Sequence, residues 1–207
     1  MTAMPQVVSA EEWRTAREEL LVAEKEATRA ADALAARRRR LPMVRFGEYT
    51  FTGPSGEVTL RELFGDKNQL MVYQFMDNGP DHVCPGCTHL TNNVTALDVL
   101  AEHDIAWATV SEMPIEQIER VKADRGWTVP FYSSRGTTFA RDCGVEGGFL
   151  LSAFLRDGDD VYRTYSTTSR GVDRLLFVNN IQDLTVFGRQ EDWEDSPDGW
   201  PQHPTYG

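Results

Sequence analysis

Residues 69 to 76, QLMVYQFM, form an almost unbroken apolar run. A strand of that kind is buried on both faces, at the centre of a sheet that helices cover on each side. The loop DNGPDHV follows, then CPGC at residues 84 to 87, then Leu90, Val94, Leu97 and Leu100 at helical spacing. That spacing predicts a helix which the CPGC opens. A central strand delivering two cysteines to a helix start constrains this chain more than any other feature. It sets the layer architecture and gives both thiols a defined place in it.

The rest of the chain alternates in the same manner. Residues 9 to about 40 read as one long helix, opened by a capping box of Ser9 and Glu12 and stopped by Leu41-Pro42. Trp13, Leu20, Ala27 and Leu34 recur every seven residues, with Ala16, Ala23 and Ala30 between them. This narrow seam of small residues suits another helix, either from the same domain or from a second copy in a homodimer. EYTF and EVTL around GPSG predict a hairpin over 48 to 60, and LRELFGDKN a short helix closed by Gly65. DIAWATV reads as a strand, Pro114 as an early residue of a helix carrying Ile115, Ile118 and Val121, and WTVPFYS as a further strand. RGTTFARDCGV contains a helical turn. GFLLSAFLRDGDDVYRTYS is a hairpin around Asp157-Gly158-Asp159, and RGVDRLLFVNNIQDL is a last helix. The expected fold is α/β, a central mixed sheet flanked by helices. Its expected divisions are an N-terminal helical extension (1–42), the sheet domain (43–187) and an acidic irregular tail (188–207).

Charge narrows the partners. The 21 Lys and Arg face 32 Asp and Glu, a formal net charge of -11, which repels phosphate backbones and argues against nucleic acid. The basic run Arg37 to Arg40 reads as a solvated helix end whose cations suit the C-terminal dipole. No stretch approaches the roughly 20 apolar residues of a membrane span. MTAMPQVVSAEEW lacks the charged-then-apolar pattern of a secretory signal, so a cytoplasmic location is expected. Stable disulfides are uncommon there, and a CxxC is more often catalytic or metal-binding.

The helix start gives the cysteine pair its chemistry. First-turn N–H groups and the positive end of the dipole favour a thiolate at Cys84. Cys87, one turn on, is placed to attack a mixed disulfide on Cys84 and release the reduced substrate. Pro85, early in the helix, loses no hydrogen bond and holds the dithiol geometry. A zinc site recruiting His82 and His89 with the cysteines is a rival by ligand type, but closing all four around one helix start is difficult. A structural disulfide would close a loop too small to stabilise much. No metal and no cofactor are expected.

GPSGEVTLRELFGDKNQLMVYQFM followed by CPGC resembles thioredoxin-like and peroxiredoxin-like folds. More closely, the chain resembles the DUF899 family of thioredoxin-like proteins, described as predicted dithiol-disulfide oxidoreductases. The resemblance covers the long N-terminal helix, LFGDKNQLMVYQFM, CPGC, RGWTVPFYSS, FARDCGV, VYRTYSTTSRGVD and GRQEDWEDSPDGWPQ. It implies a thioredoxin-like (peroxiredoxin-like) fold, with Cys84 and Cys87 as the family's cysteine pair. It also implies thiol-disulfide exchange with a protein or small-molecule disulfide or thiol. The chain departs from better-known relatives in three places. Val83 replaces the aromatic residue that thioredoxins carry before the first cysteine. GGFLLSAF lacks their cis-proline, which guides substrate backbone. Asp77 and Asp81 replace the proline and the Thr or Ser of peroxiredoxins, and an aspartate beside a peroxide-bound thiolate would repel it.

Further side chains remain as candidates. His82 and His89 flank the dithiol and would exchange protons with it near neutral pH, or serve as ordinary surface residues. Arg170 would approach the thiolate from across the sheet, or pair with a carboxylate. Cys143 reads as a small packing residue, and Tyr73 and Trp127 as core or rim. Three functions stand against one another: dithiol exchange, thiol peroxidase chemistry through a Cys84 sulfenic acid, and a non-catalytic interaction protein that keeps the fold.

Overall fold

The computed structural model describes residues 4–145 and 147–203. Helix α1, Ala10–Arg38, starts at its capping box. The Ser9 hydroxyl accepts from the Glu12 N–H at 3.3 Å, and the Glu12 carboxylate accepts from the Ser9 N–H at 2.9 Å. No residue of α1 is buried, and Trp13 is 59% exposed. At its C-terminal end the Arg38 guanidinium stacks on the Tyr165 ring, 5.3 Å from its centre.

Beyond Pro42 the chain forms β1 (Val44–Phe46), then the hairpin of β2 (Thr50–Gly53) and β3 (Gly56–Thr59). A 3-10 turn, Glu62–Phe64, is closed by Gly65 at φ 58°, a left-handed conformation that glycine adopts without strain. Strand β4 (Gln69–Gln74) follows, then α2 (Pro85–Asn92), α3 (Leu97–Glu102), β5 (Ile105–Ser111), α4 (Ile115–Arg125) and β6 (Phe131–Ser133). The chain ends with α5 (Phe139–Asp142), β7 (Leu150–Asp157), β8 (Asp160–Thr167), a 3-10 segment (Ser169–Leu175) and α6 (Phe177–Gln182).

The strands make one sheet in the order β1-β8-β7-β4-β5-β6-β2-β3. β4 runs parallel to β5 and antiparallel to β7, and β7 forms a hairpin with β8. This βαβ half followed by a ββα half is the thioredoxin-like arrangement, with the β2–β3 hairpin and the long N-terminal helix added. The unbroken apolar run of β4 has a physical reason. Leu70 and Val72 face a core with Phe51, Phe64, Phe139 and Phe154, while Tyr73 and Phe75 face a second core with Phe131, Ile118 and both cysteines of the CPGC. Each large side chain so buried stabilises the fold by about 1.5–3 kcal/mol.

Three elements differ from the sequence expectation. The helix opened by CPGC is two helices. Asn93 ends the first, its Nδ2 donating to the His89 carbonyl at 2.8 Å and its Oδ1 accepting from the Val178 N–H at 3.1 Å. Ala96 then takes a left-handed φ of 53° before α3. Asparagine side chains compete with the backbone in this way and break helices. The strand expected over WTVPFYS is reduced to β6, because Trp127 returns its N–H to the Lys122 carbonyl at the end of α4. The last helix begins as a 3-10 segment pressed against β8, where a Cβ on Gly171 would collide with the Thr167 hydroxyl.

Candidate functional site

The loop from β4 to α2 is held from both ends. Asp77 and Val83 pair as an isolated antiparallel bridge, and the Asp77 carboxylate accepts from the Gly79 N–H at 2.9 Å. From α4, Gln117 donates to the Gly79 carbonyl at 2.9 Å and Arg120 to the Pro80 carbonyl at 3.3 Å. The loop therefore delivers Cys84 to the N-cap of α2 with extended backbone, φ -53° and ψ 118°. Its sulfur accepts the N–H of Cys87 at 3.3 Å, a task that serine or aspartate usually performs at this position. Pro85 occupies the first turn, where its missing N–H costs nothing. The Cys84 thiol donates to the Met76 thioether at 3.7 Å.

Cys87 sits deeper, 1% exposed against 7% for Cys84. Its sulfur accepts the Met76 N–H at 3.5 Å and a hydrogen bond from the Tyr73 hydroxyl. Burial pushes the Cys87 pKa up to about 12. The Tyr73 and Met76 donors oppose that rise, and the neighbouring Cys84 adds to it. At neutral pH Cys87 is a protonated thiol in an apolar setting.

Both cysteines line one cleft of about 390 Å³. Tyr73, Met76 and Leu90 form the wall beside them, and Phe149, Val172 and Leu176 face them. Phe149 directly precedes β7, and its carbonyl accepts from the Thr168 hydroxyl at 2.7 Å. The mouth is formed by Arg170 and Trp193, whose guanidinium and ring stack at 4.9 Å. Trp193 comes from the tail, which is held against the 3-10 segment by Arg189. That side chain, 9% exposed, bonds Asp173 at 2.9 Å and Asp183 at 2.8 Å, and lies 3.4 Å from Glu194. A second cavity of about 430 Å³ lies between β1, β3 and the β7–β8 turn. Its arginines are already paired, Arg45 with Asp160 and Arg61 with Asp159, and it contains no thiol.

The sequence-predicted residues separate cleanly on this frame. Cys84, Cys87 and Arg170 share the cleft, and Arg170 is also paired with Asp173 at 3.3 Å. Pro85 is exposed beside it. His82 is exposed and does not line the cleft, and neither do Asp77 and Asp81. His89 points to α6, its Nε2 lying 2.9 Å from the Asn179 Oδ1. The four side chains of the zinc alternative do not converge, and among the described residues no three His, Cys, Asp or Glu side chains are grouped to hold a metal ion. Cys143 is buried in the other core, where burial pushes its pKa up to about 12. Sequence reasoning missed Met76, Phe149 and Trp193, and it read Tyr73 as core or rim, which its 1% exposure bears out, without its contact to Cys87. The alternation of β4 carried a signal for Tyr73, which shares a face with Phe75. Nothing local marked Trp193, whose place depends on the fold-back of the tail.

Solved structures to which the chain shows similarity include a peroxidoxin from Mycobacterium tuberculosis, 19% identical, with 66% of this chain and 94% of that chain covered at a TM-score of 0.49. A thiol:disulfide interchange protein from a Bacteroides species is 12% identical, covering 73% and 94% at 0.48. An uncharacterized conserved protein from Geobacillus kaustophilus is 16% identical, covering 59% and 68% at 0.46. A comparison with curated proteins finds no similar sequence. The family model described as "Bacterial protein of unknown function (DUF899)" matches residues 2–206. By that match over nearly its whole length, the chain belongs to the DUF899 family.

Proposed function

We propose that this protein is a thiol-disulfide oxidoreductase that works through Cys84 and Cys87 and needs no cofactor. The observation that carries the reading is the pairing of the two sulfurs in one cleft, the outer one at a helix N-cap and the inner one buried a turn behind it. Deprotonated Cys84 attacks one sulfur of a disulfide R–S–S–R. A bond forms to Cys84, and the first R–S⁻ leaves and takes a proton. Cys87 then attacks the Cys84 sulfur of this mixed disulfide and passes its proton to the second R–S⁻. Two electrons reach the substrate, and the protein is left as the Cys84–Cys87 disulfide.

The test uses reduced protein and a chromogenic aromatic disulfide. Wild type releases two thiols per active centre, Cys84→Ser releases none from this site, and Cys87→Ser stops at a mixed disulfide visible by mass. An unchanged rate in Cys84→Ser sinks the reading. Rapid peroxide consumption without disulfide exchange replaces it with thiol peroxidase chemistry. Retained partner binding with neither activity replaces it with an interaction protein.

Two further parts belong to this reading. Three thiols, an odd number, suit a reducing compartment, and we place the protein in the cytoplasm; among the described residues no helix is long and apolar enough to cross a membrane. The seam of α1 is covered by a second copy running antiparallel. Residues 10–24 carry five acidic and two basic side chains, and residues 25–40 carry six basic and two acidic, so each half finds its complement in the other copy.

A further inference from the structure

We infer that the exchange partner of the dithiol is a compact organic thiol or disulfide with an aliphatic body and one carboxylate, rather than a polypeptide. This inference rests on the dithiol reading above. The cleft, about 390 Å³, is in the range of small-molecule sites. Its walls are apolar on both sides of the sulfurs, from Leu90 and Met76 across to Phe149, Val172 and Leu176. An extended peptide bound along this edge needs free backbone groups beside the sulfurs. The carbonyl of Phe149, just before β7, already accepts from the Thr168 hydroxyl at 2.7 Å, and β7 itself is paired on both sides, to β4 and β8. Trp193, brought in by the tail, adds a further apolar surface to the cleft.

The charged side chains lining the cleft are Arg170 and Asp173. Asp173 takes its shorter bond, 2.9 Å, from the buried Arg189, and 3.3 Å from Arg170. One edge of the Arg170 guanidinium thus remains directed to solvent at the mouth, its face stacked on Trp193. A planar cation held in that way suits a carboxylate. An aliphatic ligand with its sulfurs on Cys84 would lie along the apolar wall and bring a terminal carboxylate to Arg170.

The experiment starts from the oxidised protein and follows its reduction by dihydrolipoate and by its neutral amide, dihydrolipoamide. Their ionisable group lies at the far end of an aliphatic chain from both sulfurs, so their intrinsic thiol reactivity is alike. In each case the two thiols of the probe become a cyclic disulfide, and the Cys84–Cys87 disulfide becomes two thiols. Wild type is expected to react about fivefold faster with the carboxylate than with the amide, the factor an exposed charge pair supplies. It is expected to react more slowly with a reduced Cys-x-x-Cys peptide than with either probe. Arg170→Gln is expected to remove the preference, bringing the ratio of the carboxylate rate to the amide rate to about one. Equal rates for the two probes in wild type, or a faster peptide, overturn the inference while exchange itself stands. Failure to exchange with any of them or with the aromatic disulfide removes the dithiol reading, and the inference with it.

Discussion

In the proposed exchange, Cys87 and Tyr73 would make the second half depend on a buried hydroxyl. The resolving thiol sits in an apolar setting that holds its pKa up to about 12, and the Tyr73 hydroxyl is one of two donors that lower it. Tyr73→Phe keeps the ring in the core, with its edge contact to Phe75 at 6.3 Å, and deletes only that donor. A hydrogen bond to a charged sulfur is worth about 1.5 kcal/mol or more, so the second step should slow about tenfold. The first step, at Cys84, should not change. Rapid-quench mass analysis will show this as a mixed disulfide that persists in Tyr73→Phe and is fleeting in wild type. Equal lifetimes in the two proteins would remove Tyr73 from the mechanism. His89, by contrast, spends its Nε2 contact on Asn179 and ties α2 to α6. Its closeness to the dithiol in sequence therefore says little about proton transfer.

At the level of elements, what was legible was what is encoded locally. The capping box set the start of α1 to the residue, and the two-faced apolar run placed β4 at the centre of the sheet with the cysteines at the next helix start. The break between α2 and α3 was hidden, since Leu90, Val94, Leu97 and Leu100 keep a helical period across it. It is set by tertiary bonds from Asn93 to Val178 and from Trp127 to Asn92. The return of the tail to the cleft was hidden for the same reason, being fixed by the buried Arg189 and its three carboxylates. Helix α1 has the opposite character, a local signal with little tertiary contact beyond the stacking of Arg38 on Tyr165 at its C-terminal end. An isolated helix of 29 residues with no buried side chain draws little stability from packing. The proposed antiparallel self-association would supply it, and Leu20→Glu/Leu34→Glu, which puts charge on the seam, should convert a dimer to a monomer in sedimentation experiments. A wild-type protein that sediments as a monomer at micromolar concentration would refute the pairing, and the dithiol chemistry would be unaffected.

For the whole molecule, the central sheet buries Cys143 in one core and Cys84 and Cys87 in the other, and Cys87 and Cys143 couple stability to alkaline pH. Burial is the leading cause in both cases, raising Cys87 and Cys143 from the usual value near 9 to about 12. In the unfolded chain these thiols ionise from about pH 9 upward, whereas in the fold they stay protonated, so the native state then binds more protons than the unfolded state. Stability from both groups is complete below pH 9 and is lost progressively as pH rises toward 12. The total loss is on the order of a few kcal/mol. Urea unfolding of the reduced protein should show a midpoint that falls steadily between about pH 9 and about pH 11. Cys143→Ala should be flatter over that range, because it removes the group in the Phe51–Phe139–Phe154 core and leaves Cys87 to supply the remaining slope. Thiol release from the Cys84–Cys87 pair should match wild type in that variant, since Cys143 does not line the cleft. A wild-type midpoint that stays level across the range would mean that both of these sulfurs are reached by water in the native state, and an undiminished slope in Cys143→Ala would assign the effect to the dithiol core alone.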